Sequence, residues 1–507
     1  MSKQNGGIIG PDNVTTGGFN GVASGVFKLG EVTDLIRQSK WPEPSPFPIN
    51  TTPNSVRFNS ASSDYLTKSF STTGNRQKFT LSMWIKRGIV PVGNQSGTER
   101  MLFQAYQNSS NQDQIWLQSN GTINYVRNNA NAVTPSQVLS DPNAWYHVVF
   151  AGDTTQGSNA NRLKVYVNGT QASIGQQDTI AQNSNFGAIN NAQSYTFGKR
   201  NSNDWYLDGY MCNIEMVDGQ QYGPEYFGSF NADSGIWTPV ATSSIAAYGT
   251  NGFKLAFANA GALGTDTSGR GNTFTPNNLT SIDQTTDSPS NNFSVMDPLD
   301  NYFASSVFSN GNLTLVTNSS ARTWNTNTIG VTSGKWYCEM KSSGVGAGAL
   351  IGIIASSSTG TTDRSDSDPY AWVYLNSGAL KNNGSSQSGT WASWANNDLI
   401  GMALDLDNNK IYFSKNGVWQ NTGTADPSTG TDGFAITAVS SLPASQSGNY
   451  FIISSDDSTS NNATFNWNFG NPTFAISSGN ADSSGFGNFE YAVPTGFLSL
   501  CTNNLNL

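Results

Sequence analysis

From residue 55 onward the chain is written largely at a period of two. In "KFTLSMWIKRG" the apolar residues Phe79, Leu81, Met83 and Ile85 take alternate positions, which places them on one face of a strand. "SVRFNS" alternates in the same way. "QIWLQSNGTINYVRN" reads as strand, Asn-Gly turn, strand, and "RLKVYVNGTQAS" repeats that plan around Asn168-Gly169. In "NAWYHVVFAGD", Trp145, His147 and Val149 share one face, while Tyr146, Val148 and Phe150 share the other. Both faces are largely apolar, so this strand is expected deep inside a sandwich. After residue 303, "GKWYCEMKSSG", "GALIGIIASS", "YAWVYLNSGALKNN", "NDLIGMALDLDNNKIYFSKNGVWQ" and "ATFNWNFG" read as further strands separated by Gly, Asn and Ser turns.

The N-terminal region is patterned differently. Residues 1–40 are Gly-rich and carry one helical patch, in which Leu29, Val32, Leu35 and Ile36 fall on one helix face and Pro42 ends the run. So short a helix is not stable alone in water, so the patch wants a partner surface. "WPEPSPFPINTTP" has proline at nearly every other position and is expected to be an extended, stiff spacer. Residues 236–302 are turn-rich with short strands and read as a connector with some β-pairing of its own.

Composition refines this picture. A length of 507 residues suits two to four domains, at about 100–200 residues each. Charged residues are 12%, about half the usual share, and Asn, Ser, Thr, Gln and Gly replace them. Aromatics at 11% still allow a core, because each large ring buries about 150–250 Å². The expectation is β-structure with a neutral polar surface. The net charge of −9 has no basic stripe within it, which excludes a nucleic-acid footprint. Cys212, Cys338 and Cys501 are too far apart for a disulfide framework or a CxxC metal site. No long apolar run predicts membrane insertion. The opening "MSKQNGGIIGPDNV" lacks a signal-peptide pattern, so synthesis in a cytoplasm is expected.

Two resemblances give the pattern a fold. "FTLSMWIKRG", "NAWYHVVFAGD", "LKVYVNGTQ" and "YLDGYMCNIEMVDGQ" come in the order seen in laminin-G-like, concanavalin-type jelly rolls. "DLIGMALDLDNNKIYFSKNGVW", flanked by "GKWYCEM" and "IGII", resembles the hallmark hairpin of SPRY domains. The expected architecture is all-β: two β-sandwich domains in tandem after an N-terminal segment with one short helix. The expected boundaries are an attachment segment and Pro-rich linker over 1–53, a laminin-G/concanavalin-like jelly roll over 54–235, the connector over 236–302, and a SPRY-like sandwich over 303–507. The connector and the closing "VPTGFLSLCTNNL" resemble stretches of tailed-phage structural proteins, notably marine ones.

That resemblance implies a non-enzymatic virion surface protein, a tail fibre or receptor-binding adhesin contacting host envelope glycans or a host surface protein. A capsid decoration or head-fibre protein is the alternative. Residues 1–40, with Leu29, Val32, Leu35 and Ile36, would dock to other virion proteins. Fibres are often trimers, but no heptad or triple-helix repeat marks one here, so oligomeric state stays open.

Candidate chemistry is sparse. His147 is the only histidine. With no nucleophile elbow or neighbouring acid it reads as structural. Concanavalin-type folds host glycosidases, which need two carboxylates across the scissile bond. Glu215 and Asp218 are spaced to point to opposite faces, Glu339 stands alone, and Asp405 and Asp407 read as solvating a turn. For calcium, Asp405, Asp407 and Asn409 alternate but lack the Gly and distal Glu of an EF-hand loop, and the clusters Asp363, Asp366, Asp368 and Asp456, Asp457 read as polar loop tips, so calcium binding by a loop stays open. Neither metal nor cofactor is expected. Tyr370, Trp372, Trp391 and Trp394, near predicted loops, are the candidate sugar-stacking residues, with Trp372 and Trp394 also readable as core.

Overall fold

The computed structural model describes residues 52–88, 99–231, 235–242, 245–302, 306–346, 348–355 and 365–505, together with the paired strands Ile8–Ile9 and Val26–Phe27. The predicted helix face Leu29, Val32, Leu35 and Ile36 lies outside the described residues, as does Asp363.

The first sandwich consists of two eight-stranded antiparallel sheets. In one sheet the order is Thr170–Gln171, Leu163–Val167, Trp145–Asp153, Lys78–Arg87, Gly209–Asp218, Ser55–Phe58 and Gln284–Thr285, with Phe253–Leu255 also paired to Gly209–Asp218. In the other it is Ile174–Gln177, Ala130–Pro135, Ile123–Arg127, Asn111–Leu117, Arg100–Asn108, Ser194–Phe197, Tyr65–Ser69 and Thr275–Asn277. The period-two reading sets the inner face: Phe79, Leu81, Met83, Ile85, Tyr146, Val148 and Phe150 pack in one core with Phe103, Ile115, Tyr125 and Phe197 from the opposite sheet. Asn168 and Gly169 turn between Val167 and Thr170 with φ of 46° and 78°, the geometry a two-residue hairpin requires.

The second sandwich pairs a seven-stranded sheet with a nine-stranded one. The SPRY-like hairpin is its centre: Leu399–Asp405 and Lys410–Lys415 pair from Ile400↔Lys415 to Asp405↔Lys410, next to Lys335–Gly344. Trp336, Met340, Ile400, Met402 and Leu404 face Ile351, Ile353, Tyr374 and Ile452 across the core.

The segment read as a connector is not a separate unit. Trp237–Pro239 pairs with Gly228–Phe230, Phe253–Leu255 and Gln284–Thr285 join one sheet of the first sandwich, and Thr275–Asn277 joins the other. Met296–Tyr302 pairs with Thr323–Asn327 in the second sandwich. Strands of two or three residues make too few ladder bonds to persist alone, so they are stable only as additions to existing sheets. Between these two allegiances, residues 286–294 run along a polar seam. Tyr210 Oη donates to the Gly311 carbonyl at 3.0 Å, Asn312 Nδ2 to that of Gly88 at 2.6 Å, and Arg57 to that of Pro472 at 3.1 Å.

Candidate functional site

His147 is completely buried. Trp237 Nε1–H donates to its Nδ1 at 3.0 Å. An indole N–H can only donate, so Nδ1 is unprotonated and Nε2 carries the proton, directed at Ser82 Oγ 2.8 Å away. His147 therefore cannot take the Ser82 proton. Burial pushes the imidazole down to about 3, which keeps it neutral. Its ring stacks between Trp84, at 4.7 Å, and Trp237, at 6.0 Å. Trp237 belongs to the hairpin that roofs this outer face, so the histidine is a packing residue.

The carboxylates are used as loop anchors. Glu215 accepts from Asn213 Nδ2 at 2.8 Å and from Tyr248 Oη, and pairs with Lys254 Nζ at 3.3 Å. Asp218 accepts the backbone N–H groups of Asn75, Thr250 and Asn251. Asp113 takes those of Gly187, Ala188 and Ile189 together with the Tyr125 hydroxyl. Glu339, also fully buried, accepts the N–H groups of Glu490 and Tyr491, the Tyr337 hydroxyl and the Asn468 amide. Asp405 caps its turn, accepting the Asn408 backbone N–H at 3.0 Å and the Asn408 Nδ2 at 2.8 Å, but it does so from a buried position rather than from solvent. It is buried and pairs with Lys335 at 2.9 Å, because the register sets Lys335 directly opposite it. Asp366 pairs with Lys381 at 2.8 Å, and Asp456 is buried beneath the Thr317 hydroxyl. Among the described residues no group of three or more His, Cys, Asp or Glu could hold a metal ion, and no described helix is long and apolar enough to cross a membrane. The three thiols are buried and unpaired with one another.

The four aromatic candidates do not form a platform. Trp372 and Trp394 are 4% and 2% exposed and belong to the second core. Trp372 lies on an inward position of Ala371–Leu375, paired in register with Ile353, so its indole cannot face a ligand. Tyr370 and Trp391 are half-buried and pack against the same core. Trp391 stands 5.7 Å from Tyr374 and 6.4 Å from Phe413.

A second aromatic pair, Trp116 and Trp205, is half-buried beside a row of polar residues in which Gln104 and Gln114 are 1% and 7% exposed. Alternate positions on the outer face of the sheet containing Arg100–Asn108 and Asn111–Leu117 are polar. Register aligns Thr67, Thr196, Gln104 and Gln114 in one row across four strands. Gln114 Nε2 and Gln104 Nε2 both donate to Gln112 Oε1, at 2.8 and 3.3 Å. Gln104 then exchanges two bonds with Asn201, at 2.7 Å to the backbone N–H and 3.2 Å to the side chain. The loop "KRNSNDWY", residues 199–206, is thereby tied to the amide row. Trp116, next along its strand, meets Trp205 edge-on at 5.1 Å. The Arg200 guanidinium lies 3.9 Å above the Trp205 ring and is held by Asp204, whose carboxyl this contact lowers below the usual range. Lys199 Nζ sits 4.0 Å over Tyr65. Trp205 has φ of +53°, an unfavourable conformation for so bulky a residue, and such strain clusters at sites that position a side chain for a ligand. The sequence signal was partial: Gln104 and Tyr106, and Gln114 and Trp116, alternate with Phe103, Ala105, Ile115 and Leu117, but Asp113 and Gln107 break the pattern.

Comparison with known proteins places both halves. Residues 59–220 match the concanavalin A-like lectin/glucanases superfamily, and residues 335–448 match the SPRY domain. No curated protein matches the chain. Among solved structures, the SPRY domain of human HERC1 is 18% identical, covering 34% of this chain and 96% of that one with a TM-score of 0.26. Stonustoxin is 17% identical, covering 34% of this chain and 27% of its own with a TM-score of 0.25. A heptameric SAP-like pentraxin from Limulus polyphemus is 14% identical, covering 34% and 80% with a TM-score of 0.26. The chain thus carries a concanavalin-like domain followed by a SPRY domain in tandem.

Proposed function

We propose that this chain is a non-enzymatic virion surface adhesin, a tail fibre or receptor-binding protein, that holds neutral glycans of the host envelope at the Trp116–Trp205 pair and the loop 199–206 of its first sandwich. The observation that carries the reading is the half-buried Trp116–Trp205 pair, with the Arg200 guanidinium over Trp205, on a loop that the buried Gln104 and Gln114 amides hold in place through Gln112 and Asn201. Indole faces stack on the apolar C–H faces of sugars, and the exposed Asn201, Ser202 and Asn203 of the same loop offer polar groups to sugar hydroxyls. The low charge of the chain suits a neutral ligand. The buried carboxylates Glu215, Asp218 and Glu339 are committed to anchoring loops, which supports binding without hydrolysis. The virion placement rests on the resemblance to tailed-phage structural proteins, with residues 1–40 docking to other virion proteins. Weak sites in many copies would act through avidity, about 10²–10⁴ above a single site.

The test is calorimetric titration of the full chain against a panel of purified bacterial envelope glycans. Binding by the wild type that is lost in Trp205→Gly and Trp116→Ala is expected. Wild-type binding that survives both substitutions, or no binding across the panel of the infected host, overturns the site. Copy number per purified particle separates the placements: a few tens or fewer expected for a tail protein, hundreds for capsid decoration.

A further inference from the structure

The seam between the domains holds a group that the binding reading does not use. Lys86 lies on the outer face of its strand, in register with Trp145 on one side and Tyr210 on the other. Its side chain is fully buried. Its Nζ donates to Asp287 Oδ2 at 2.8 Å, to Asn292 Oδ1 at 2.7 Å and to the Phe293 carbonyl at 3.0 Å. Both acyl groups are fixed by second contacts. Trp145 Nε1–H donates to the other oxygen of Asp287 at 2.9 Å. Asn292 Nδ2 donates to the Asn143 carbonyl at 2.5 Å, which turns Oδ1, and the carbonyl carbon behind it, toward the amine. The Tyr210 ring closes one side, 5.5 Å from Nζ. An amine, a carboxamide and a carboxylate thus meet out of water, brought from sequence positions about 200 residues apart.

We propose that Lys86 and Asn292 react to form an isopeptide bond across the seam, with Asp287 as the proton carrier and ammonia as the leaving group. Burial lowers the proton affinity of the Lys86 amine, and a neutral amine held against a carbonyl is a nucleophile. The Lys86 ammonium gives one proton to Asp287. The amine adds to Cγ of Asn292. Asp287 returns its proton to the departing amide nitrogen, and the Cγ–Nδ2 bond breaks. The attacking nitrogen loses its second proton, which leaves with ammonia as ammonium. Lysine ammonium plus carboxamide becomes secondary amide plus ammonium ion, and Asp287 ends as it began. Neither an oxidant nor a co-reactant is needed.

The bond would join the strand Lys78–Arg87 of the first sandwich to a segment that also pairs with the end of the chain, through Phe293↔Cys501 and the Thr502 N–H bond to the Asn292 carbonyl at 2.9 Å. It would clamp the two domains covalently.

Intact-mass measurement and peptide mapping of the full chain test this. The wild type is expected to be lighter than its sequence mass by one ammonia and to yield a branched tryptic peptide joining Lys86 to Asn292. The branched peptide is decisive, because succinimides at Asn-Gly pairs also lose ammonia. Lys86→Arg is expected to remove it. Asn292→Asp is expected to give the same linkage with loss of water instead. A wild-type chain with no branched peptide after prolonged incubation leaves only a buried ion pair and overturns the proposal, without any variant having to fold. A branched peptide in Asp287→Asn overturns the role of Asp287.

Discussion

Both sandwiches roof the outer face of one sheet with a returning segment, and they secure the roof by opposite means. In the first, Phe227, Ile245 and Tyr248 cover Val149 and Val217 and Trp237 covers His147, held by the Trp237–His147 bond and by Glu215, which is paired with the cation Lys254. In the second, the segment 489–497 covers Tyr337, Ala403 and Tyr412, held by Glu339 through neutral donors. A buried carboxylate must be satisfied either by a cation or by several N–H and O–H groups. The difference sets how each roof responds to mutation and to acid.

The largest expected effect is from Glu339→Ala. It strands the N–H groups of Glu490 and Tyr491 and the Asn468 amide in a dry site, at a cost of about 4 kcal/mol. Glu215→Ala is expected to cost about half as much, because Lys254 is 23% exposed and can turn to water. Chemical denaturation of both variants decides it. Equal losses would remove the distinction between the two roofs.

Acid sharpens the contrast further. The folded-state value of His147, about 3, lies below its unfolded value of 6.5, so the unfolded chain binds the proton more tightly. The stability this neutral imidazole supplies is present above 6.5 and is lost as pH falls toward 3. From pH 7 to pH 5 the loss is roughly 2 kcal/mol. Since the chain has a single histidine, His147→Gln should remove that loss cleanly in paired denaturant titrations. Glu339 has the reverse sign. Burial raises its carboxyl above the usual range, so its contribution is greatest in acid and declines as pH rises through the folded value. Acid should therefore loosen the first roof before the second, which hydrogen exchange at pH 5 would register as earlier opening of residues 228–248.

The smallest effect on stability is expected at the half-buried Trp116–Trp205 pair. Trp205→Gly removes the Trp116 contact but relieves a bulky residue from a left-handed backbone. The two should nearly cancel, leaving stability within about 1 kcal/mol. Glycan binding should be lost to calorimetry, a fall of at least about tenfold for a weak single site. Trp372→Ala should do the reverse, costing about 3 kcal/mol of stability through a core cavity. If Trp205→Gly unfolds the domain instead, the loop is structural and the binding face is misassigned.

The strands themselves were legible because side-chain alternation is a local property. Phe79, Leu81, Met83 and Ile85, and the opposed faces of Trp145–Phe150, were placed from spacing alone and lie where spacing puts them. The hairpins at Asn168-Gly169 and Asn416-Gly417 followed from residues that tolerate positive φ. The aromatic site was not legible. Trp372 and Trp394 look the same in sequence as Trp116 and Trp205, and only the stacking of a second sheet decided which rings are covered.

Sequence by itself therefore determined β-strands, their turns and a low-charge composition, since period and turn residues act over a few neighbours, and the division into two successive sandwiches came from the two family resemblances. Only the tertiary structure decided that the stretch 236–302 is shared between the domains, that the acids anchor loops, that glutamines of adjacent strands form one row, and that Lys86 meets Asp287 and Asn292. Those facts depend on register and on contacts between distant segments, and no local pattern encodes which strand will lie beside which.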